Sequence, residues 1–315
     1  MQATVNFQVE LQCRPEVVPF FDADTNTFSY VVRDPASTAC AVVDSVLDID
    51  YAAGRISTTS ADRILDYIRQ HGLSLEWIIE THVHADHLSA APYLQDALGG
   101  KIGIGEHIVT VQETFGSVFN AGSDFARDGS QFDRLFADGD SYQVGSMTCH
   151  AMHTPGHTPA CMVHVMGDAA FVGDTLFMPD GGTARADFPG GDARTLYRSI
   201  QRVLSLPGET RLFMCHDYMP NGRELEYETS VAAELADNIH VHTGISEDDF
   251  VRMREARDAT LDMPRLILPS LQVNMRAGHL PAAEDNATVY LKLPINASYS
   301  YTGRTAERVG ADNAR

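Results

Sequence analysis

Thr81-His82-Val83-His84-Ala85-Asp86-His87 places four metal-capable side chains within six residues, directly after the apolar, strand-like residues 75–81. At a strand end alternate residues point the same way, so His82 and His84 share a side, while a turn after them can swing Asp86 and His87 around the same point. Further along, His153 and His157 stand in His153-Thr154-Pro155-Gly156-His157, Asp174 follows Gly173, and His216 lies in Cys215-His216-Asp217, each after another apolar strand-like run. An isolated histidine, such as His71, His107, His164, His240, His242 or His279, is an ordinary core or surface residue. Seven bulky polar groups converging at strand ends are different: burying them is costly unless an ion satisfies them. The sequence therefore predicts a metal centre.

The rest of the chain frames that motif. Residues 5–11, 27–33 and 40–47 read as strands, being rich in β-branched and aromatic side chains and bounded by turn formers. A helix is expected from a cap at Ser60 to Gly72, with Ile64, Leu65 and Ile68 on one face. Residues 147–153, 161–165 and 169–172 form a second strand group, followed by a helix over 192–206 and a strand over 211–215. Helical periodicity returns over 224–242 and 247–261. Two halves, each with strands and then helices, predict two sheets packed face to face and covered by helices on both outer faces. The turn-rich break over 179–191 has chemistry-bearing residues on both sides and reads as a functional loop.

Composition sets the outer bounds. The 315 residues are 44% hydrophobic and 21% charged, as in a chain with a sizeable core, and carry 23 Lys+Arg against 43 Asp+Glu, a formal charge of −20. Such an acidic chain with no basic cluster argues against nucleic acid or an anionic membrane as partner. No run approaches a membrane span and no targeting pattern opens the chain, so a cytoplasmic location is expected. Cys13, Cys40, Cys149, Cys161 and Cys215 are scattered and never form a CxxC pair, which argues against a disulfide or thiolate-metal framework, and Cys40, Cys149, Cys161 and Cys215, in apolar strand-like runs, read as small buried hydrophobes.

HxHxDH, then HTPGHT, GD and CHD, in this order, resemble the metallo-β-lactamase superfamily. The resemblance implies an α+β fold, the αββα four-layer sandwich, as a single domain over 1–315 with a helical C-terminal extension from about 224 packed on the core. Two chemistries fit these residues. In a dinuclear zinc thioester hydrolase of glyoxalase II type, His82, His84 and His153 hold one zinc, Asp86, His87 and His216 the other, and Asp174 bridges them around a hydroxide. In a mononuclear centre, His82, His153 and Asp174 alone bind one Fe(2+) per chain, a two-histidine, one-carboxylate triad with open positions for oxygen chemistry. A non-catalytic member used for binding or assembly would be expected to lose ligands, and all seven are present.

Gly182-Thr183-Ala184-Arg185-Ala186-Asp187-Phe188, Leu196-Tyr197-Arg198-Ser199-Ile200, Leu206-Pro207-Gly208, His216-Asp217-Tyr218 and Val273-Asn274-Met275-Arg276-Ala277-Gly278 resemble the persulfide dioxygenase branch, in its bacterial subclass without a rhodanese domain. That resemblance implies oxidation of glutathione persulfide by O2 to glutathione and sulfite. His84, Asp86, His87 and His216 then support catalysis by bonding the ligands or ordered water and excluding a second ion, and His157 fixes the TPGHT turn. Arg185, with its forked donor, is the expected clamp on the glutathione carboxylate. Tyr218 is expected to contact the cysteinyl part, and Asn274 and Arg276 to line the pocket. Where some relatives carry Cys and Thr, this chain has Thr183 and Ala186, so a thiol-assisted step through the loop is absent. Many relatives form dimers, and a homodimer is compatible with that resemblance.

Overall fold

A computed structural model describes residues 9–295. β1 (Glu16–Asp22), β2 (Thr27–Arg33) and β3 (Ala39–Val43) run antiparallel in succession, and β4 (Val46–Asp50) and β5 (Arg55–Ser57) leave that sheet as a hairpin. α1 (Thr59–Gln70) leads to β6 (Ser74–Ile79), which pairs parallel with β3. β7 (Leu88–Ser89), α2 (Ala91–Leu98), β8 (Lys101–Gly105), α3 (Ile108–Val118) and β9 (Arg134–Phe136) complete the first half. The second half comprises β10 (Ser141–Val144), β11 (Met147–His153), β12 (Met162–Met166), β13 (Ala169–Phe171), α4 (Ala193–Val203), β14 (Arg211–Phe213), β15 (Glu228–Ser230), α5 (Val231–Asp237), α6 (Glu247–Asp258) and α7 (Ile267–Asn274).

The strands form two six-stranded sheets, β1-β2-β3-β6-β8-β9 and β10-β11-β12-β13-β14-β15, with β5-β4-β7 as a small third sheet. Alternation along β2 sets the layering. Phe28, Tyr30 and Val32 point into an inter-sheet core with Phe171 and Phe213, whereas Val31 points out beneath Ile64 and Ile68 of α1. The second sheet does the same: Cys149 and Ala151 face inward, and Met152, Val163 and Val165 pack outward on Leu196 and Ile200 of α4 and Phe250 of α6. Helix, sheet, sheet, helix is thus the expected four-layer order.

Several boundaries differ from the sequence reading. The strand expected over 40–47 breaks at Asp44, which adopts φ 52° and ends β3 before β4 begins. Ser60 is not the cap of α1; its hydroxyl donates to Asp48, and Thr58 precedes the helix. Asp192, by contrast, does cap α4, accepting from the Thr195 amide. The helix expected over 224–242 shrinks to α5, because Glu228–Ser230 is recruited as an edge strand against β14. Of the strand expected over 5–11, residues 5–8 lie outside the described residues and 9–11 are not extended into a ladder. The end of the C-terminal extension, beyond 295, also lies outside them. Among the described residues no helix is long and apolar enough to cross a membrane.

Candidate metal centre

The loop after β6 carries the HxHxDH motif at the rim of the inter-sheet core. Asp44 holds its root. The kink at Asp44 lets one carboxylate oxygen accept from the Thr81 amide at 2.8 Å and lie 2.9 Å from His84 Nε2, while the other takes the Thr81 hydroxyl at 2.8 Å. Beneath it, Glu80 accepts from Ser89 and stands 3.6 Å from His84 Nε2. Burial alone would raise Asp44, but the His84 charge and hydrogen bond pull its carboxyl below the usual carboxylate range. Sequence reading passed over Asp44; a single aspartate interrupting an apolar run was the available signal.

On the second sheet, Asp174 follows β13, and His157 arrives on the 154–161 loop. Gly156 makes that loop fit: at φ 137°, an added Cβ would lie 2.3 Å from Leu196 Cα, so only glycine lets the turn press onto α4. His157 Nε2 then reaches within 3.5 Å of Asp174, and its Nδ1 bonds the Arg185 carbonyl at 2.8 Å. His82 Nε2 stands 3.9 Å from the same Asp174 oxygen. One ligand atom each from His82, His157 and Asp174 lie within 4.8 Å of one another. His216, at the end of the β14 run, sits 3.2 Å from Asp174 and 3.6 Å from Asp86.

His153 is not part of this cluster. It ends β11 paired with Met162, its Nε2 contacts the Pro159 carbonyl at 2.8 Å, and its ring stacks on His107 at 4.4 Å. The strand register turns it away from the inter-sheet rim, and the following loop delivers His157 in its place. Both expectations, His153 in the cluster and His157 confined to the turn, are thereby corrected.

The donor set fits a metal ion. His82 Nε2, His84 Nδ1 and His87 Nε2 are buried ring nitrogens without a hydrogen-bond partner among the described residues. Unpaired buried polar atoms are costly, and three around one loop are better explained by an ion than by packing. Burial disfavours charge on Asp174, yet His216, His82 and His157 hold its carboxyl well below the usual range. Burial likewise pushes the His82 ring well below the usual histidine range, which keeps its lone pair free. Cys215 also lies near Asp174 and His216, but it is buried and its thiol is pushed far up by burial, as expected of a small core residue.

A cavity of about 460 Å³ opens over Asp86, His157, Asp174 and His216. Tyr218 lines it, 56% exposed, its ring stacked near His216 at 5.7 Å. Arg185 lines it too, but its guanidinium is spoken for: two nitrogens grip Asp187 at 2.7 and 3.0 Å, a third donates to the Asp262 carbonyl, and its face covers Phe188. The remaining two expectations fail. Asn274 is buried behind the metal loop, and Arg276 lies over Phe125 in a separate surface hollow with Gln272. Sequence reading missed Arg257 and Arg265, which line the cavity and whose guanidinium groups have no carboxylate or hydrogen-bond partner among the described residues.

A family model for the metallo-beta-lactamase superfamily matches residues 23–216. The chain is 60% identical to a probable metallo-hydrolase of Burkholderia pseudomallei, over 88% of this chain and 98% of that one. It is 44% identical to glyoxylase B2 of Dictyostelium discoideum, over 90% and 98% of the two chains, and 28% identical to the mitochondrial persulfide dioxygenase ETHE1 of Homo sapiens, over 82% and 87%. The crystal structure of ETHE1 from Myxococcus xanthus superposes with a TM-score of 0.66 at 29% identity, covering 84% of this chain and all of that one.

Proposed function

The chain belongs to the metallo-β-lactamase superfamily, and within it we propose that it is a mononuclear iron persulfide dioxygenase acting on glutathione persulfide. The observation that supports this reading is the compact grouping of His82, His157 and Asp174; His84, Asp86 and His87 form a second group, and His216 joins Asp174 and Cys215 in a third. Two histidines and one carboxylate are the donor set suited to Fe(II) with positions left open. The balanced reaction is GSSH + O2 + H2O → GSH + H2SO3, in which the outer sulfur is oxidised by four electrons, O2 is reduced, and the S–S bond breaks with its proton returning to glutathione.

His82, His157 and Asp174 would hold the ion. When bound, it supplies a redox-active Lewis acid at which an anionic sulfur and dioxygen can be brought together. The remaining residues orient and move protons. Asp44 fixes the His84 ring through Nε2, and Thr27 with the Asn26 carbonyl fixes His216 through Nδ1. Burial opposes charge on His216, and the neighbouring Asp174 and Asp86 carboxylates favour it and raise its pKa. Tyr218 and Phe177, 5.8 Å apart, offer the reacting end an apolar wall. The peptide carboxylate meets Arg257 and Arg265 at the mouth rather than Arg185, whose donors are already used.

The hydrolase reading is favoured by the unpartnered His84 Nδ1 and His87 Nε2 and by His216 standing 3.2 Å from Asp174 and 3.6 Å from Asp86, and it agrees with the names of the Burkholderia and Dictyostelium relatives. Elemental analysis joined to turnover tests the choice. About one iron per chain, oxygen uptake and sulfite from glutathione persulfide support the dioxygenase. Two zincs with rapid cleavage of lactoylglutathione and no oxygen uptake would overturn it.

A further inference from the structure

Asn274 stands 190 residues from His84 in sequence, at the last position of α7, yet it is buried against the metal loop. Its amide nitrogen donates to the His84 carbonyl at 2.9 Å and the His87 carbonyl at 2.8 Å, and its amide oxygen accepts from the Ser89 backbone at 2.8 Å. These three bonds bracket Asp86 and tie together the turn that bears three of the metal-capable side chains. We propose that Asn274 is a positioning residue for the metal centre, a latch through which α7 sets the backbone of residues 84–89 and so the placing of His84, Asp86 and His87.

A side-chain amide is suited to this. The carbonyls of His84 and His87 both need donors, Ser89 needs an acceptor, and asparagine carries two donors and an acceptor on one short stem. Aspartate would set a charge against two carbonyls, and alanine would leave three buried backbone groups unpaired. The same segment is wedged elsewhere. Met275 accepts through its carbonyl from Gln112, and Gly278, at φ 86°, packs so closely that an added Cβ would lie 2.6 Å from Pro92 and 2.9 Å from the Ser89 carbonyl. Gln272, two residues before Asn274, is a natural control: its amide bonds the Leu268 and Lys292 carbonyls and does not touch the metal loop.

The inference rests on the reading that the loop holds a metal, and the test separates the two. Co(2+) is titrated into the metal-free full-length chain in competition with a chelator, with the cobalt absorption band recorded for parent, Asn274→Ala, Gly278→Ala and Gln272→Ala. Asn274 fixes the loop that carries His82 and the buried His84 and His87 rings, and partners that hold a metal site from outside commonly change affinity by about ten- to a hundredfold, so Asn274→Ala is expected to weaken Co(2+) binding about tenfold and shift the band. Gly278→Ala should do so less, and Gln272→Ala should leave both unchanged. If Asn274→Ala does not fold, Gly278→Ala carries the decision. Parent-like affinity and band in the folded latch variants, or equal weakening in Gln272→Ala, would overturn the positioning role. A parent chain that fails to bind Co(2+) would overturn the metal reading and the latch with it.

Discussion

The metal loop and the 181–188 loop face each other across one cavity and differ in how their polar atoms are used. In the metal loop three ring nitrogens are buried and unpartnered. In the 181–188 loop the groups best placed to recognise a ligand are engaged within the protein: Thr183 donates through its amide to His240 and accepts from Arg254, Ala186 donates to Asp258, and Arg185 is held by Asp187. A buried atom left without a partner is a demand that something else must meet; a satisfied one is scaffold. The contrast separates chemistry from support more sharply than residue type does, since an aspartate occurs in both loops, Asp86 in one and Asp187 in the other.

The strongest way to break this comparison is to exchange the two histidines of HTPGHT. If the proposed His82, His157 and Asp174 set holds the ion, His157→Ala should abolish metal retention and turnover by removing one of its three ligands, whereas His153→Ala should retain the parent's metal content. Metal content by elemental analysis decides, and equal loss in both would return His153 to the site. A second test uses a buried acid behind the 181–188 loop, one of whose oxygens accepts from Asn238. Glu234 is buried, its Oε1 has no hydrogen-bond partner among the described residues, and burial pushes its pKa up to about 8. Because the folded pKa lies above the unfolded value, folding holds its proton; the stabilisation is complete below about pH 4.5 and is lost as pH rises through about 8. Glu234→Gln should therefore leave melting at pH 5 nearly unchanged and raise stability at pH 9 by a few kcal/mol. A constant difference across pH would show that Glu234 does not titrate in this window.

Much of this was legible in sequence, for reasons that also explain the failures. β2 and β11 run over the predicted residues because alternation and β-branching specify them strongly, and the ligand types were plain because imidazoles and carboxylates after apolar runs have few other uses. Which histidine of HTPGHT faces the metal was not legible. The answer depends on the register of β11 against β12 and on how Gly156 lets the loop settle onto α4, both long-range facts. Arg185 was misjudged because its partner, Asp187, is only two residues away in sequence but meets it only through the loop's fold. Asn274 and Arg276 were placed in the same pocket on the resemblance of the 273–278 segment to the persulfide dioxygenase branch, whereas Asn274, the last residue of α7, lies behind the metal loop and Arg276, just past the helix, lies over Phe125.

Arg185→Ala sharpens the contrast from the scaffold side. Its guanidinium and Asp187 are 10% and 15% exposed, so the pair is mostly sheltered and its loss leaves a carboxylate without its fork. The variant should lose about 1.5–3 kcal/mol of stability, read from denaturant midpoints. Turnover should fall by the same factor for glutathione persulfide and for a persulfide lacking the glycine carboxylate. A loss confined to the full glutathione substrate would make Arg185 the clamp after all.

The smallest effect belongs to the mouth. Arg257 and Arg265 are exposed and have no carboxylate partner among the described residues, so each can turn to a ligand without breaking an existing bond. Solvent screens such contacts, and an exposed ion pair is worth roughly 0.2–1 kcal/mol. Single alanine variants should then raise KM for glutathione persulfide by about two- to fivefold, and the double variant by about tenfold, with kcat nearly constant because binding far from the reacting sulfur is shared by ground and transition states. Raising ionic strength should weaken the parent and leave the double variant flat, since the screened charges are those removed. A persulfide without the glycine carboxylate should be indifferent to both changes. If kcat falls while KM stays constant, the two arginines shape the reacting end of the cavity and the carboxylate lies elsewhere.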